Sequence, residues 1–453
     1  MTIGFSGGGR VRLNLAALLA GTAYILMAGR AWAVPAYAQQ TGEHCNTCHV
    51  GGFGPQLTAA GRKFKEDGYT ERKAGLGFTP PLSAMAIASY VNTEQNQPAP
   101  PAPHYSTNNN ITLDEAGIFL AGGIGDHFGG FAQFTYDGVG RAFSWDNLDL
   151  RAVDHVTIDG SDVLVGLTVN NNPAIEDPWN TLPAWGFPYT DSDLAPAPAT
   201  ATLFDGAYGQ ASLGTTAYAR WANGIYTEAG FYFTPGNNFL SAMGADEGPG
   251  PIRGVAPYVR VAYEKDTGDT NWEIGTFGFF PNLRPDGDGS TGQDDSYRDF
   301  GIDASYQLQD DDSSYYTLNA RYTREDQDLN ATHLLGGSAN ASDSLDDFRL
   351  DASYYWHDKV GATVQLFTTT GSRDALLYGD NRTFTPDSNG VQFQIDFTPW
   401  GDGSSPLGDR FNVRVGAQYT LYGKFDGAGT NYDGLGHNAS DNNTFRIFTW
   451  LAL

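Results

Sequence analysis

The sequence predicts an all-β fold: an antiparallel β-barrel of the outer-membrane type with about sixteen strands, plugged by a short α-helical segment that precedes it. Three observations carry this. Runs of roughly ten residues alternate apolar and polar side chains from residue 82 to the end, the pattern of strands with one face in lipid and one in a lumen. The connections between runs alternate long and short, as in barrels with long external loops and short periplasmic turns. After residue 29 no apolar stretch approaches the ~20 residues of a spanning helix, and a closed barrel is the other structure that satisfies its backbone in lipid.

Composition narrows the function. The 453 residues hold 52 Asp and Glu against 26 Lys and Arg, a formal charge of −26. That excludes a nucleic-acid binder working through basic patches. Two cysteines cannot build a disulfide scaffold. A hydrophobic share of 40% argues against global disorder.

The first element is a secretory signal, residues 1–33. Arg10 and Arg12 precede an apolar run over 13–29, and Ala31-Trp32-Ala33 and Ala36-Tyr37-Ala38 are small-x-small cleavage sites. Cleavage is expected after Ala33, alternatively after Ala38. The shortness of the run and the cleavage site beside it argue against a membrane anchor. Its removal takes Arg10, Arg12, Arg30 and no acid, so −26 becomes −29.

The second element, 34–80, holds Cys45-Asn46-Thr47-Cys48-His49, the attachment pattern of a c-type haem. Two thiols bond to the two vinyl groups of one haem, and the following His gives a nitrogen to iron. Both cysteines of the chain are used here. A thiol-redox C-x-x-C is the rival, but the thioredoxin-like βαβ pattern is missing. Next, Pro55 and Gly68 bound an expected helix on which Leu57, Ala60 and Phe64 share a face. That face is expected to cover the haem, with Leu57 and Phe64 packing on it. Arg62, Lys63 and Lys65 are placed off it, on a solvated surface or toward a redox partner or the haem propionates. The segment is too short to bury a haem alone, so the rest of the chain must shelter it.

The third element, 81–453, is the barrel. Its runs begin near Leu82, Ile111, His127, Ser144, Ser161, Ala207, Ile225, Gly254, Asn271, Ser296, Ser314, Asp346, Val360, Gly390, Arg410 and Asn443. Long loops are expected at 92–110, 173–205, 235–253, 281–295, 325–344, 372–388 and 425–442. Short turns are expected at 122–126, 221–224, 265–270, 309–312 and 357–359. The long loops follow odd-numbered strands, so the N-terminus lies in the periplasm. Phe348, Leu350, Ala352 and Tyr354 are assigned to lipid, and Asp347, Arg349, Asp351 and Ser353 to the lumen. Likewise Phe411, Val413, Val415, Ala417 and Tyr419 face lipid, and Asn412, Arg414, Gly416 and Gln418 the lumen. Trp145, Trp221, Trp272, Trp356 and Trp400 suit interfacial girdles. Charges recur on the lumen face at Asp149, Arg151, Glu228, Arg260, Glu273, Asp303, Arg321, Arg349, Asp351, Asp396, Arg414 and Arg446. They frame the haem, admit cations, or simply line a polar porin. From Ala74 onward 48 acids face 18 bases, many of the acids in external loops.

The sequence resembles the fused monohaem cytochrome c–porin family of the bacterial outer membrane, whose best-known members oxidise ferrous iron. The match rests on Gln40-Thr41-Gly42-x-x-Cys45-x-x-Cys48-His49, then Leu57-Thr58-x-x-Gly61-Arg62-x-Phe64-Lys65-x-x-Gly68-Tyr69, then Leu82-Ser83-Ala84-Met85. The resemblance implies one covalent haem c on Cys45 and Cys48, with His49 on iron, held in the barrel mouth or on its periplasmic side. It implies one-electron transfer across the outer membrane from an extracellular donor such as Fe(II) to a periplasmic cytochrome or copper protein. The sixth iron ligand is expected to be Met85, with His104 and His127 as rivals or the position left open. Met1 and Met27 leave with the signal, Met243 falls in an outer loop, and His44 is badly placed beside Cys45. The alternatives are electron export to an external acceptor and a haem-plugged diffusion porin. A soluble β-sandwich cytochrome is disfavoured by the loop alternation.

Overall fold

The computed structural model describes residues 36–75, 81–287, 289–310, 313–408 and 411–453. The expected signal, 1–33, lies outside the described residues.

Sixteen long strands form one sheet: β1 (Leu82–Thr93), β2 (Asn110–Ile124), β3 (Phe128–Asp137), β4 (Ala142–Ile158), β5 (Ser161–Asn170), β6 (Leu213–Trp221), β7 (Ile225–Phe233), β8 (Ala256–Asp266), β9 (Thr270–Phe279), β10 (Asp295–Gln309), β11 (Tyr315–Asp328), β12 (Ser342–Trp356), β13 (Val360–Gly371), β14 (Ser388–Phe397), β15 (Asn412–Lys424) and β16 (Thr444–Ala452). Each pairs antiparallel with the next. β16 returns to β1 in register from Met85↔Ala452 to Thr93↔Thr444, so the sheet closes without an edge. A two-residue strand, Asn282–Leu283, adds to β10. Among the described residues no helix is long and apolar enough to cross a membrane.

Every expected run is a strand, and most begin within a few residues of the expected place. The sixth differs, starting at Leu213 rather than Ala207. Leu203–Ala207 coils into a short turn instead, and the Phe204 N–H donates to Asp299 of the wall at 2.7 Å. The loop alternation has two exceptions. Residues 138–141 make a short connection on the long-loop side, and 398–411 make a long one on the short-turn side.

The face assignments hold. Phe348, Val415, Phe445 and Ile447 are exposed on the outside, while Asp347, Asp351, Ser353, Asn412, Arg414 and Gln418 are buried within. Ile118, Leu120, Phe300, Ile302, Ile395 and Phe397 extend the outward apolar band, the surface of a membrane-spanning barrel. Trp272 and Trp356 are exposed as expected of a girdle. Trp145 is not: it is buried, donates Nε1–H to the Gln210 carbonyl at 2.9 Å, and stands edge-on to Phe239.

The lumen is filled, where an ordinary porin lumen would leave its charged rows in water. Arg151 pairs with Asp149 and Glu176. Arg260 pairs with Asp177, Glu273 and Asp303. Arg446 reaches Asp114 and the Thr190 carbonyl. Two segments supply this filling. One is the connection 171–212, which folds inward from the long-loop side. The other is the N-terminal segment.

Candidate functional site

The N-terminal segment carries α1 (Ala36–Thr41), α2 (Cys45–Cys48) and α3 (Ala59–Glu66). α2 is a single turn, so Cys45 and Cys48, three apart, share one side of it. Neither is in a disulfide. His49 leaves the turn in extended conformation, φ −124° and ψ 130°, and forms a bridge with Leu57. The next stretch must curl tightly: Gly51, Gly52 and Gly54 all have left-handed φ. A Cβ on Gly52 would stand 2.3 Å from the Gly401 backbone, so the curl is pressed against the 398–411 connection.

Barrel side chains then grip the curl. Arg414, on β15, donates to the Gly51 carbonyl at 3.0 Å and the Phe53 carbonyl at 2.7 Å. Its charge is met by Asp396 at 3.3 Å, and its guanidinium lies over the Phe53 ring. Asp358, in the β12–β13 turn, accepts from the Gly51 N–H at 3.1 Å and from Asn46 Nδ2 at 3.2 Å. Burial raises the Asp358 carboxyl to about 6.

α3 explains the longer motif residue by residue. Thr58 caps it, accepting from the Gly61 N–H at 3.2 Å and donating to the Thr47 carbonyl at 2.6 Å. A Cβ on Gly61 would stand 2.2 Å from the Cys48 carbonyl oxygen, so only glycine lets helix and motif touch. Arg62 pairs with Glu264 of β8 at 3.1 Å. Lys65 donates to the carbonyls of Ile175 and Asp177 and to Asn180 Oδ1, at 2.7–2.9 Å. Tyr69 donates its hydroxyl to Asp149 at 2.6 Å. Gln40 donates to the Tyr69 and Glu71 carbonyls and accepts from the Gly123 N–H.

These contacts correct two expectations. The helix starts at Ala59, not Pro55, so Leu57 precedes it. Arg62 and Lys65 are buried rather than solvated, and of the three bases only Lys63 is exposed. Phe64 packs among Tyr37 and Tyr69, with ring centroids 5.0 and 5.6 Å away. Leu57 stays beside His49 through the bridge. Of the remaining candidates, one lies against the curl. Met85 faces inward from β1 and packs with Phe53, Ile87, Phe448, Trp450 and Ala452. His127 sits at the turn before β3 with Nδ1 3.0 Å from the Val153 carbonyl. His104 and Met243 lie in connections at the opposite, long-loop end.

The residues suit a covalently held haem. Burial pulls His49 down to about 4, against the pull of the Gly54 carbonyl, so the ring is neutral at pH 7 with a lone pair to give. Its Nδ1 is buried without a hydrogen-bond partner. Burial, reinforced by Glu71 and Glu43, raises the Cys48 thiol to about 11, the reverse of the low thiol pKa that redox C-x-x-C chemistry needs. Sequence reading missed Asp358 and Arg414 as grips. Arg414 was visible as a lumen charge, but nothing local showed that it meets backbone carbonyls 361 and 363 residues away.

No protein-family description matches the chain, and neither does any curated protein. Solved structures of similar shape include OmpT, an outer membrane protein of Vibrio cholerae, at 10% identity, covering 82% of this chain and 97% of that one, TM-score 0.40. An anion-selective porin from Comamonas acidovorans matches at 12% identity over 82% and 98%, TM-score 0.43. The outer membrane channel DcaP of Acinetobacter baumannii matches at 9% identity over 84% and 100%, TM-score 0.44. Likenesses this distant carry nothing about function.

Proposed function

We propose that this chain is an outer-membrane electron conduit of the cytochrome–porin kind, with one haem c on Cys45 and Cys48 in the periplasmic mouth of its barrel. A bound haem c supplies an iron that gains and loses one electron. Cys45 and Cys48 would hold it covalently and His49 would ligate iron. Arg414 and Asp358 fix the loop that carries His49, and Leu57 packs beside it.

One observation carries the reading: the C-x-x-C-H turn is built into the barrel, gripped by side chains from β12–β15. A segment that merely passed the barrel would not need a buried arginine on two carbonyls of the curl that follows His49, or Asp358 on Asn46 inside the motif. The N-terminal segment and the 171–212 connection also meet inside the lumen, through Lys65 and through Asn180 donating to the Pro55 carbonyl at 2.6 Å. That meeting favours a plugged barrel over a diffusion porin.

An extracellular donor such as Fe(II) and a periplasmic cytochrome or copper protein are the expected partners. The acidic balance beyond Ala74 suits a cationic donor. The test is reconstitution in liposomes with the periplasmic end inside. Membrane-impermeant Fe(II) added outside should reduce a covalently bound haem, and Cys45→Ala with Cys48→Ala should abolish both haem staining and reduction. Absence of covalent haem in the wild-type protein would overturn the reading.

A further inference from the structure

α3 borders a cleft of about 610 Å³ at the short-turn end of the barrel, beside the β6–β7 turn. A space of this size suits a small organic molecule. Four charged side chains line its inner part: Arg62 and Glu66 from α3, Arg220 from β6 and Glu264 from β8. Arg62 and Glu66 stand four apart on one helix face, with Cβ atoms about 5–6 Å apart, the spacing at which opposite charges usually pair. Here they do not pair. Arg62 turns its Nε to Glu264 at 3.1 Å and its Nη1 to the Leu57 carbonyl at 3.0 Å.

The needs of Glu264 are met, since Arg220 and Asn271 Nδ2, the latter at 2.6 Å, hold it as well. Those of the helix pair are not. Arg62 Nη2 is buried with no hydrogen-bond partner, and so is Glu66 Oε1. Among the described residues no hydrogen bond reaches the Glu66 carboxylate, and its one ion pair is with Arg220, whose Nε lies 3.6 Å from Oε2. Arg62 is 5% exposed and Glu66 6%, so bulk water does not make up the difference. Buried charges left short of hydrogen bonds are costly. Both residues line the cleft, so a side-chain turn, without backbone movement, brings either atom to a ligand.

We propose that this cleft binds an α-amino acid group, its ammonium on Glu66 and its carboxylate on Arg62. A simple amine would leave Arg62 Nη2 unpartnered, and a simple anion would leave Glu66 Oε1. An α-amino acid carries both charges on one carbon and so fits between two side chains set one helical turn apart. The class covers the free amino acid and the same group at the end of a longer chain. Arg62 and Glu66 belong to the plug, Arg220 and Glu264 to the wall, so an occupant ties one to the other and its binding is linked to docking. The inference stands apart from the haem reading.

The test titrates full-length, detergent-purified protein by calorimetry. L-Alanine should bind. N-Acetylalanine, which lacks the ammonium, and alaninamide, which lacks the carboxylate, should each bind at least tenfold more weakly. Glu66→Gln should weaken alanine at least tenfold and leave N-acetylalanine unchanged. A second readout needs no variant: alanine should raise the hydrogen-exchange protection of the Ala59–Glu66 amides in the wild-type protein. Nε-Acetyllysine binding tighter than alanine marks a longer chain as the source, and equal binding marks the free amino acid. No heat with millimolar alanine overturns the proposal. So does N-acetylalanine or alaninamide binding as well as alanine, or Glu66→Gln binding alanine like the wild type. Dialanine binding tighter than alanine also overturns it, because the two charges would then be held farther apart than one carbon allows.

Discussion

Arg414→Met should loosen the N-terminal plug. The Arg414 side chain is 2% exposed and donates to the Gly51 and Phe53 carbonyls. Hydrogen bonds from a charged donor contribute about 1.5–3 kcal/mol each, so losing two removes about 3–6 kcal/mol of docking. At about 1.4 kcal/mol per factor of ten, the docked-to-free ratio falls about 10²- to 10⁴-fold. The single variant also strands Asp396, a buried carboxylate whose partner is gone, and breaking a buried pair costs about 3–5 kcal/mol by itself. The informative protein is therefore Arg414→Met with Asp396→Asn, in which the grip is lost and no buried carboxylate is stranded. Protection factors of the Val50–Gly52 amides, by hydrogen exchange on purified barrels, should drop by at least a hundredfold. An added protease should also begin to cut near Phe53. If the double variant keeps wild-type protection there, Arg414 is only a lumen counter-charge and the built-in site is wrong.

Gly61→Ala should be worse than its size suggests. The added Cβ would meet the Cys48 carbonyl oxygen at 2.2 Å, so α3 and the motif cannot keep their contact; haem stain per barrel should fall sharply, while heat-modifiable gel mobility shows the barrel intact. The plug should dock more firmly in acid. Burial holds Glu66 at about 7 despite Arg220, above its ordinary 4.5. Its contribution is complete below about pH 4.5 and is lost as pH rises through 7, with a ceiling near ~3 kcal/mol. Protection factors over Ala59–Glu66 should decline from pH 5 to pH 8, and Glu66→Gln should flatten the trend. Asp374 works with the opposite sign. Against burial, the N–H groups of Ala339, Leu377, Asn340 and Leu376 hold it at about 2. The clamp joining 329–341 to 372–387 should thus hold fully above about pH 4 and loosen as pH falls through 2, while Asp374→Asn loosens it by about 1–3 kcal/mol at neutral pH and makes little difference below pH 2.

The barrel was legible because its signal is local. Period-two alternation and loop length are set by neighbours in sequence, so strand positions and faces followed from residues such as Asp347-Phe348-Arg349-Leu350. The irregular turn at Leu203–Ala207 was not legible, because Leu203 and Phe204 are apolar yet seat a loop into the wall rather than start a strand. The α3 helix misled for a related reason. A helix on a surface buries one stripe, so Arg62 and Lys65 read as solvated. Inside a cylinder a helix is surrounded, and its cations are buried wherever the wall offers carboxylates or carbonyls. The site was half legible: Cys45, Cys48 and His49 declare themselves by spacing, while Asp358 belongs to a turn that reads as punctuation. Its one local signal was a His-Asp pair where a tight hairpin turn prefers glycine.

Polar lumen rows read alike in a water-filled porin and in a plugged barrel, since both alternate charge with apolar residues. What separates them is the partner of each arginine. In a water-filled lumen, arginines face solvent or the carboxylates of neighbouring strands. Here Arg414 spends two donors on carbonyls of the N-terminal segment, Arg151 donates to the Glu176 carbonyl, and Arg446 donates to the Thr190 carbonyl. Carbonyls of irregular chain are what a plug brings and a bare barrel lacks. An irregular segment buried in a lumen needs outside donors for its backbone, and the wall supplies arginines where the chain curls. The charged rows are therefore the complement of the plug, and a barrel expressed without residues 34–80 should hold Arg414 and Asp358 in water and conduct ions freely. Conductance of that truncated barrel equal to the closed full-length protein would refute this, because it would mean that the 171–212 connection alone seals the lumen.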